Sequence, residues 1–276
     1  MVLPVLALYQ DNYADMTPFL LGLTLGVYGL TQAILQIPLG LLSDRIGRAP
    51  VIIGGLLVFV LGSVVAAMAD TIQGLILGRA LQGMGAIAST LMAMVTDLTS
   101  EENRTKAMAS IGASIGLSFI LAMIAGPVIA SAMGLSGVFW VTAVLGCIGI
   151  LVFVLMVPRV FSTQKNRETL ADLNQIGVLL KQPTLLRLNL GVFALHLALM
   201  AAFVVIPTML SSQLGISGDD LWWVYLTLLG GGFVAMLPVM ILGEKYQRQK
   251  PAFVSAIACM TLAMFMLGRV QGAQLV

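Results

Sequence analysis

The sequence predicts an all-α, polytopic membrane protein, and three observations support this fold class. Of its 276 residues, 59% are hydrophobic and only 9% are charged, and the mean hydropathy is +1.02. A typical soluble domain has about 25% charged residues. Apolar stretches recur along the whole chain, and a helix satisfies every backbone polar group within its own segment, as lipid requires. We therefore expect a bundle of spanning helices rather than a soluble domain with one anchor.

Long apolar stretches separated by charged clusters predict eight complete spans. Their expected ranges are 18–43, 50–69, 71–97, 105–131, 135–157, 185–212, 218–243 and 251–272. Residues 1–10 are apolar but too short to cross a bilayer, which takes about 20 residues, and they lack the features of a signal peptide. We expect them to be the second half of a spanning helix whose beginning precedes Met1.

Charge placement predicts the orientation of these spans. Lysine and arginine fall in alternate connections: Arg45, Arg48, Arg104, Lys106, Arg159, Lys165, Arg167, Lys181, Arg187, Lys245, Arg248 and Lys250. Acidic residues dominate the other connections: Asp11, Asp15, Asp70, Asp219 and Asp220. The positive-inside rule places the basic connections in the cytoplasm and the acidic ones outside.

One long polar connection predicts the domain organisation. Residues 158–184 are polar and include an amphipathic stretch suited to the membrane interface. We expect residues 1–157 to form a first bundle, 158–184 to form a cytoplasmic linker, and 185–276 to begin a second bundle.

Several classes of function have no support in the sequence. Cys147 and Cys259 lie in apolar runs without metal-ligand spacing, so we predict no metal site. The sequence has no phosphate-binding loop signature, so it gives no support to ATP-driven pumping. The net charge of +2 does not indicate nucleic acid as a partner.

A motif follows the second predicted span, reading GLLSDRIGR from Gly40 through Asp44 and Arg45 to Gly47 and Arg48. Glycine permits a tight reversal between helices, and the charges lie at the membrane surface. This segment resembles the signature loop between the second and third helices of the major facilitator superfamily. Asp97 is predicted at the same end of the bundle, so we hypothesise that Asp44, Arg48 and Asp97 form a conformational latch.

Arg79 lies inside an apolar span, in the sequence LGRALQGMG. This stretch resembles the fourth-helix motif of the same superfamily, with its membrane-embedded arginine. A charge in a span is costly unless it faces the bundle interior and finds partners. Two interpretations stay open: a cation that supports proton coupling near a central cavity, or an arginine that only joins helices through hydrogen bonds.

Other polar residues in the spans are candidates for the same cavity: Gln82, Tyr28, Gln32, Asn189 and His196. His196 is the sole histidine and follows Asn189 by seven positions, which places both on one helix face. Histidine titrates near neutral pH and can transfer a proton. A neutral histidine satisfied within the bundle is the alternative.

Gly112, Gly116 and Gly126-Pro127 resemble the antiporter motif of the superfamily's fifth helix, although Ala130-Ser131 replaces its final glycine pair. Small residues four apart let helices approach closely, and proline removes a backbone hydrogen bond. Close packing without any role in antiport is the alternative.

Together the motifs resemble a YajR-like branch of proton-coupled drug exporters. The resemblance implies a twelve-helix, multi-pass inner-membrane protein, monomeric when complete, that uses the proton gradient and no cofactor. Its partners would be protons, the lipid bilayer and a small lipophilic or cationic substrate. A metabolite or sugar carrier, a receptor on the same scaffold, and a nonfunctional fragment are the alternatives.

Overall fold

A computed structural model describes residues 1–9, 13, 16–85, 87–157, 182–215, 221–245 and 249–272. Every regular element in these ranges is an α-helix, which confirms the predicted all-α class. The helices of the described ranges are α1 (Leu3–Leu6), α2 (Pro18–Ile46), α3 (Arg48–Ala67), α4 (Ile72–Met84), α5 (Ala88–Leu98), α6 (Glu101–Met156), α7 (Pro183–Leu214), α8 (Leu221–Lys245) and α9 (Gln249–Gly272).

Several ranges of the chain are helical, long and apolar enough to cross a bilayer. Among the described residues they are Pro18–Ile46, Arg48–Ala67, Ile72–Leu98, Glu101–Met156 and Pro183–Pro207, of which Ile72–Leu98 comprises both α4 and α5. Helix α6 has 56 residues, a length of about 84 Å at 1.5 Å per residue, whereas the hydrocarbon core is about 30 Å thick. Gly134, with φ of 70°, interrupts α6 and separates the two spans that the sequence predicts at 105–131 and 135–157.

The helices around α3 define the two ends of the bundle. Helix α3 packs against α4 and α6, and α2 packs against α4. Ser136, just after the break in α6, donates a hydrogen bond to the carbonyl oxygen of Ala67, and Phe153 packs with Ile52 near the start of α3. The second segment of α6 is therefore antiparallel to α3. We call the end where α2 meets α3 the Arg48 end and the opposite end the Ser136 end.

The span predicted at 71–97 contains a break. Helix α4 ends at Met84 and α5 begins at Ala88. A side chain at Gly85 would put its Cβ 2.6 Å from the carbonyl oxygen of Gly55 on α3, so the chain passes very close to its neighbour there. Composition could not predict this break, because it depends on contact with another helix.

The N-terminal segment is less helical than predicted. Helix α1 covers only Leu3–Leu6, whereas the sequence predicts helix throughout residues 1–10. The hydroxyl of Tyr9 donates to the carbonyl oxygen of Ala130 at 2.8 Å, and that of Tyr13 donates to Ala69 at 3.3 Å. These bonds attach the segment to neighbouring elements after the helix ends. Val5 and Leu6 are completely buried in the main apolar core.

Some predictions fall on residues outside the described ranges. Residues 158–181, which contain most of the predicted linker, are among them, so the three-part domain division stays a prediction. The same holds for the acidic residues Asp11, Asp15, Asp219 and Asp220.

Candidate functional site: a buried arginine and a surface arginine

Close packing of α4 against two neighbours buries Arg79. A Cβ added to Gly78 would lie 2.5 Å from the backbone nitrogen of Ala66 on α3. A Cβ added to Gly83 would collide with Tyr28 and Thr31 on α2. The hydroxyl of Thr31 also donates to the carbonyl oxygen of Ala80 at 3.0 Å. Because these glycines let the helices approach, Arg79 is left with only 6% of its surface exposed.

A chain of hydrogen bonds links Arg79 to α3. Its Nη1 donates to Oε1 of Gln82 at 2.8 Å, and Nε2 of Gln82 donates to Oγ of Ser63 at 2.8 Å. The hydroxyl of Ser63 then donates to the carbonyl oxygen of Phe59 at 2.8 Å. Gln82 and Ser63 are themselves buried, so each bond satisfies a polar group that would otherwise be costly.

Helix α2 supplies the other contacts of the guanidinium. Nε of Arg79 donates to the carbonyl oxygen of Thr24 at 3.3 Å. The Tyr28 ring lies beneath the guanidinium, with 4.6 Å from the arginine Cζ to the ring centroid. A desolvated cation–π contact of this kind contributes about 2 kcal/mol. We call Arg79, Gln82, Ser63, Thr24 and Tyr28 the Arg79 network.

The charge of Arg79 has no counter-ion in the part of the chain that the structure describes. The ion pairs there involve Arg48 instead. A guanidinium has five N–H donors, and only the Nε donor and one Nη1 donor of Arg79 have hydrogen-bond partners among the described residues. The site can therefore hold a buried positive charge and offer further donors to an anionic or acceptor group.

The other predicted cavity residues are not part of the Arg79 network within the described ranges. Gln32 is half-buried on α2, four positions after Tyr28. Asn189 and His196 are exposed on α7, and Nδ1 of His196 lies 3.0 Å from the carbonyl oxygen of Val192 on its own helix. Their role in a cavity stays a prediction.

At the Arg48 end, Arg48 is the centre of a second polar group. Its Nη1 lies 2.5 Å from Oδ1 of Asp44, and its Nε donates to Oδ2 of Asp97 at 3.0 Å. Nη1 also donates to Oγ of Ser43 at 2.7 Å, and the Ser43 hydroxyl donates to the carbonyl oxygen of Gly40 at 2.6 Å. One arginine at the start of α3 thereby joins α2 to α5. We call Ser43, Asp44, Arg48 and Asp97 the Arg48 cluster.

Glycines shape the backbone around the Arg48 cluster. Gly47 separates α2 from α3 with φ of 99°, a conformation that residues with a Cβ rarely adopt. Gly40 faces α5, where an added Cβ would lie 3.4 Å from Oγ of Ser89, an ordinary van der Waals contact. Arg45 is exposed and forms no ion pair among the described residues.

The fifth-helix motif is divided between two environments. Gly112 and Gly116 are exposed, and a Cβ added to either would meet nothing within 4 Å. The close helix contact predicted there is therefore absent from the described part of the chain, because no neighbour covers this stretch of α6. Gly126 is buried, and an added Cβ would lie 2.5 Å from the carbonyl oxygen of Met1. Pro127 is buried beside it inside α6.

Sequence reasoning did not single out Ser43, Ser63 and Thr24. Each is a small hydroxyl residue in or beside an apolar span, and all three are buried. The available signal was the cost of a polar group in a span, which requires a partner. That argument identifies the large polar side chains but does not say which serine or threonine faces them.

Comparison with known proteins agrees with this architecture. The family model described as Major Facilitator Superfamily matches residues 1–273. The Escherichia coli K12 protein named "Inner membrane transport protein YajR" is 45% identical over 271 residues, covering 98% of this chain and 60% of that protein. The E. coli "Tetracycline resistance protein, class B" is 33% identical over 152 residues, covering 54% of this chain and 37% of that protein. The "Multidrug resistance protein 3" of Bacillus subtilis is 33% identical over 113 residues, covering 40% of this chain and 22% of that protein.

The chain spans about three fifths of the length of its YajR relative, so the match concerns only that part of the relative. Within this part, the matched region contains both the Arg79 network and the Arg48 cluster. Since the family model covers nearly every residue, the chain belongs to the Major Facilitator Superfamily.

Proposed function

We propose that the protein is a proton-coupled antiporter that exports small lipophilic or cationic compounds by alternating access. Relatives named for tetracycline and multidrug resistance support the export of such compounds. The observation on which the proposal depends is the buried guanidinium of Arg79 without a counter-ion among the described residues.

Arg79 supports proton coupling through its charge. A buried cation favours the deprotonated form of a carboxyl group that comes within about 4–6 Å, and the effect is large in a low-dielectric interior. A carboxyl group that approaches Arg79 in one conformation and leaves it in another would release and bind a proton in step with that change. The Arg79 network keeps the guanidinium in place during this cycle.

The Arg48 cluster is the proposed latch between conformations. Asp44 and Asp97 approach one guanidinium from two helices, and all three side chains retain solvent exposure. Exposed ion pairs contribute about 0–1 kcal/mol each. A contact of this strength can favour one conformation without preventing the change to the other. Alternating access requires this, because the two conformations must lie within a few kcal/mol of each other.

The proposed orientation places the Arg48 end in the cytoplasm of an inner-membrane protein. Arg45, Arg48, Arg104 and Lys106 all lie at or near this end, as the positive-inside rule requires. The proposed coupling ion is the proton, with no cofactor, and the proposed complete protein is monomeric. Protons would move inward while the compound moves outward.

Dye efflux from inverted membrane vesicles tests the proposal. Protein expressed from its complete reading frame is compared with Arg79→Gln and with the matched control Arg104→Gln, which removes an exposed arginine outside the loop motif. We expect efflux that depends on an imposed proton gradient, that an uncoupler abolishes, and that Arg79→Gln lowers by at least tenfold. Arg104→Gln should keep most of the activity.

Other outcomes point to the alternatives. Proton-driven uptake of sugars or metabolites, without dye efflux, would favour a nutrient carrier of the same superfamily. Folded, inserted protein that moves no compound in either gradient direction would contradict the antiporter proposal and favour a receptor or a nonfunctional fragment.

A further inference from the structure

An apolar cluster joins the first part of the bundle to α7 and α8. Met123 on α6, Phe203 on α7 and Tyr225 on α8 are buried together. The Phe119 ring meets the Phe203 ring edge-on, with 6.0 Å between centroids. We call Phe119, Met123, Phe203 and Tyr225 the junction cluster.

The junction cluster lies towards the Ser136 end of the bundle. Met123 is 22 residues after the start of α6 at Glu101 and 11 residues before the break at Gly134, or about 33 Å and 16 Å along a helix. Leu3, the first residue of α1, and Leu8, two residues after its end, pack against the cluster. The Arg48 cluster therefore lies at one end of the bundle, while the contact between the two sets of helices lies nearer the other.

Tyr225 is unusual among the members of the junction cluster. Its side chain is 4% exposed, yet its hydroxyl has no hydrogen-bond partner in the part of the chain that the structure describes. A buried hydroxyl without a partner is destabilising relative to one in contact with water. Phenylalanine would fill the same space without this penalty, as Phe119 and Phe203 do.

We propose that the junction cluster closes the transport path at the Ser136 end and that the unpartnered Tyr225 hydroxyl limits the stability of this closed state. The inference rests on the alternating access of the proposed function. The aromatic contacts stabilise the closed state, because they are lost when α7 and α8 separate from α6. Hydration stabilises the open state, because there the Tyr225 hydroxyl regains a hydrogen bond to water. The opposing effects keep the closed and open states close in free energy.

Cysteine accessibility tests the role of Tyr225 without any substrate or gradient. The background is protein from the complete reading frame in which Cys147 and Cys259, both exposed, are replaced by serine. Met123→Cys then introduces a thiol in the junction cluster, and its labelling rate by a membrane-impermeant maleimide reports opening at the Ser136 end. The variants compared are Tyr225→Phe and the matched control Tyr13→Phe, whose hydroxyl has a partner in Ala69.

The expected result is that Tyr225→Phe slows labelling by about fivefold or more, since removing an unpartnered buried hydroxyl stabilises the closed state. Tyr13→Phe should leave the rate within about twofold of the background. As a second variant, Phe203→Ala should accelerate labelling, because it removes the aromatic contact with Phe119.

Equal labelling rates in Tyr225→Phe and Tyr13→Phe would overturn the inference, and so would faster labelling in Tyr225→Phe. These readouts are independent of transport. If dye efflux fails while labelling responds as expected, the antiporter proposal falls and the closure stands. If efflux succeeds while labelling does not respond, the closure falls alone.

Discussion

Arg48 at the start of α3 donates from Nε to Oδ2 of Asp97 near the end of α5, across 3.0 Å. The two residues are 49 positions apart in the sequence, and the same guanidinium also contacts Asp44 on α2. This relationship makes Arg48 the point at which three helices meet at one end of the bundle. It also permits a sharp test of the proposed latch.

Asp97→Asn should leave membrane insertion unchanged and impair transport severalfold. The amide keeps the size of the side chain but removes the charge that attracts Arg48. Loss of an exposed pair, worth about 1 kcal/mol or less, shifts a two-state equilibrium by up to about fivefold. Transport rates and cysteine accessibility at both ends would be measured against Glu102→Gln, an exposed acid in the first turn of α6. Transport equal to that of Glu102→Gln would contradict the latch, and Asp44→Asn should behave as Asp97→Asn does.

Ser63→Ala should destabilise the folded protein by about 1–3 kcal/mol, because Nε2 of Gln82 loses its buried acceptor. Thr90→Val is the matched control, since the Thr90 hydroxyl is equally buried but has no partner in the described part of the chain. That substitution should be neutral or slightly stabilising. The stability of both variants is measured by thermal unfolding in detergent, with size-exclusion chromatography to monitor the folded fraction. Similar losses for the two variants would show that bulk rather than the hydrogen-bond network determines stability.

Gly62→Ala should prevent normal packing of α3 on α4, because the new Cβ would lie 2.5 Å from the backbone nitrogen of Gln82. A clash with backbone cannot be relieved by a side-chain rotation. Gly54→Ala on the same helix meets nothing within 4 Å and should raise helix stability by about 0.5–1 kcal/mol. Both the expression level and the melting temperature should fall for Gly62→Ala and rise for Gly54→Ala. A tolerated Gly62→Ala would mean that α3 and α4 are farther apart than described.

The glycines of the fifth-helix motif should separate into two classes. Gly126→Ala should lower the melting temperature, because the added methyl group meets the Met1 backbone. Gly112→Ala and Gly116→Ala should not lower it through contacts within the described residues, since both positions are open. If either of these two variants nonetheless abolishes transport in stable protein, the exposed face of α6 has a functional role, as the resemblance implies. Full transport in both would leave Gly112 and Gly116 without a role in antiport.

Much of the fold could be predicted because lipid imposes simple rules. Apolar length predicts spans, and the sequence places a boundary between 131 and 135, where the structure has Gly134 with positive φ. The cost of a charge in a span predicts that Arg79 is buried, and it is. The charges of the loop motif and the predicted place of Asp97 at the same end of the bundle also made Asp44, Arg48 and Asp97 candidates, and the structure places both carboxylates in contact with Arg48.

Only the tertiary structure decided which small residues meet the large polar ones. The Ser63 hydroxyl accepts from Gln82, and the Thr24 carbonyl oxygen accepts from Arg79, because α3 and α2 approach α4 at its glycines. No local pattern shows that a particular acceptor faces a particular partner. The break after Met84 likewise coincides with the close approach of Gly85 to Gly55 on α3, which no local pattern indicates. The sequence by itself determined the membrane environment, the spans and the burial of the arginine, since these follow from the transfer of side chains into lipid. The close helix contacts, the partners of each polar group and the unpartnered hydroxyl of Tyr225 follow from packing between residues far apart in the chain.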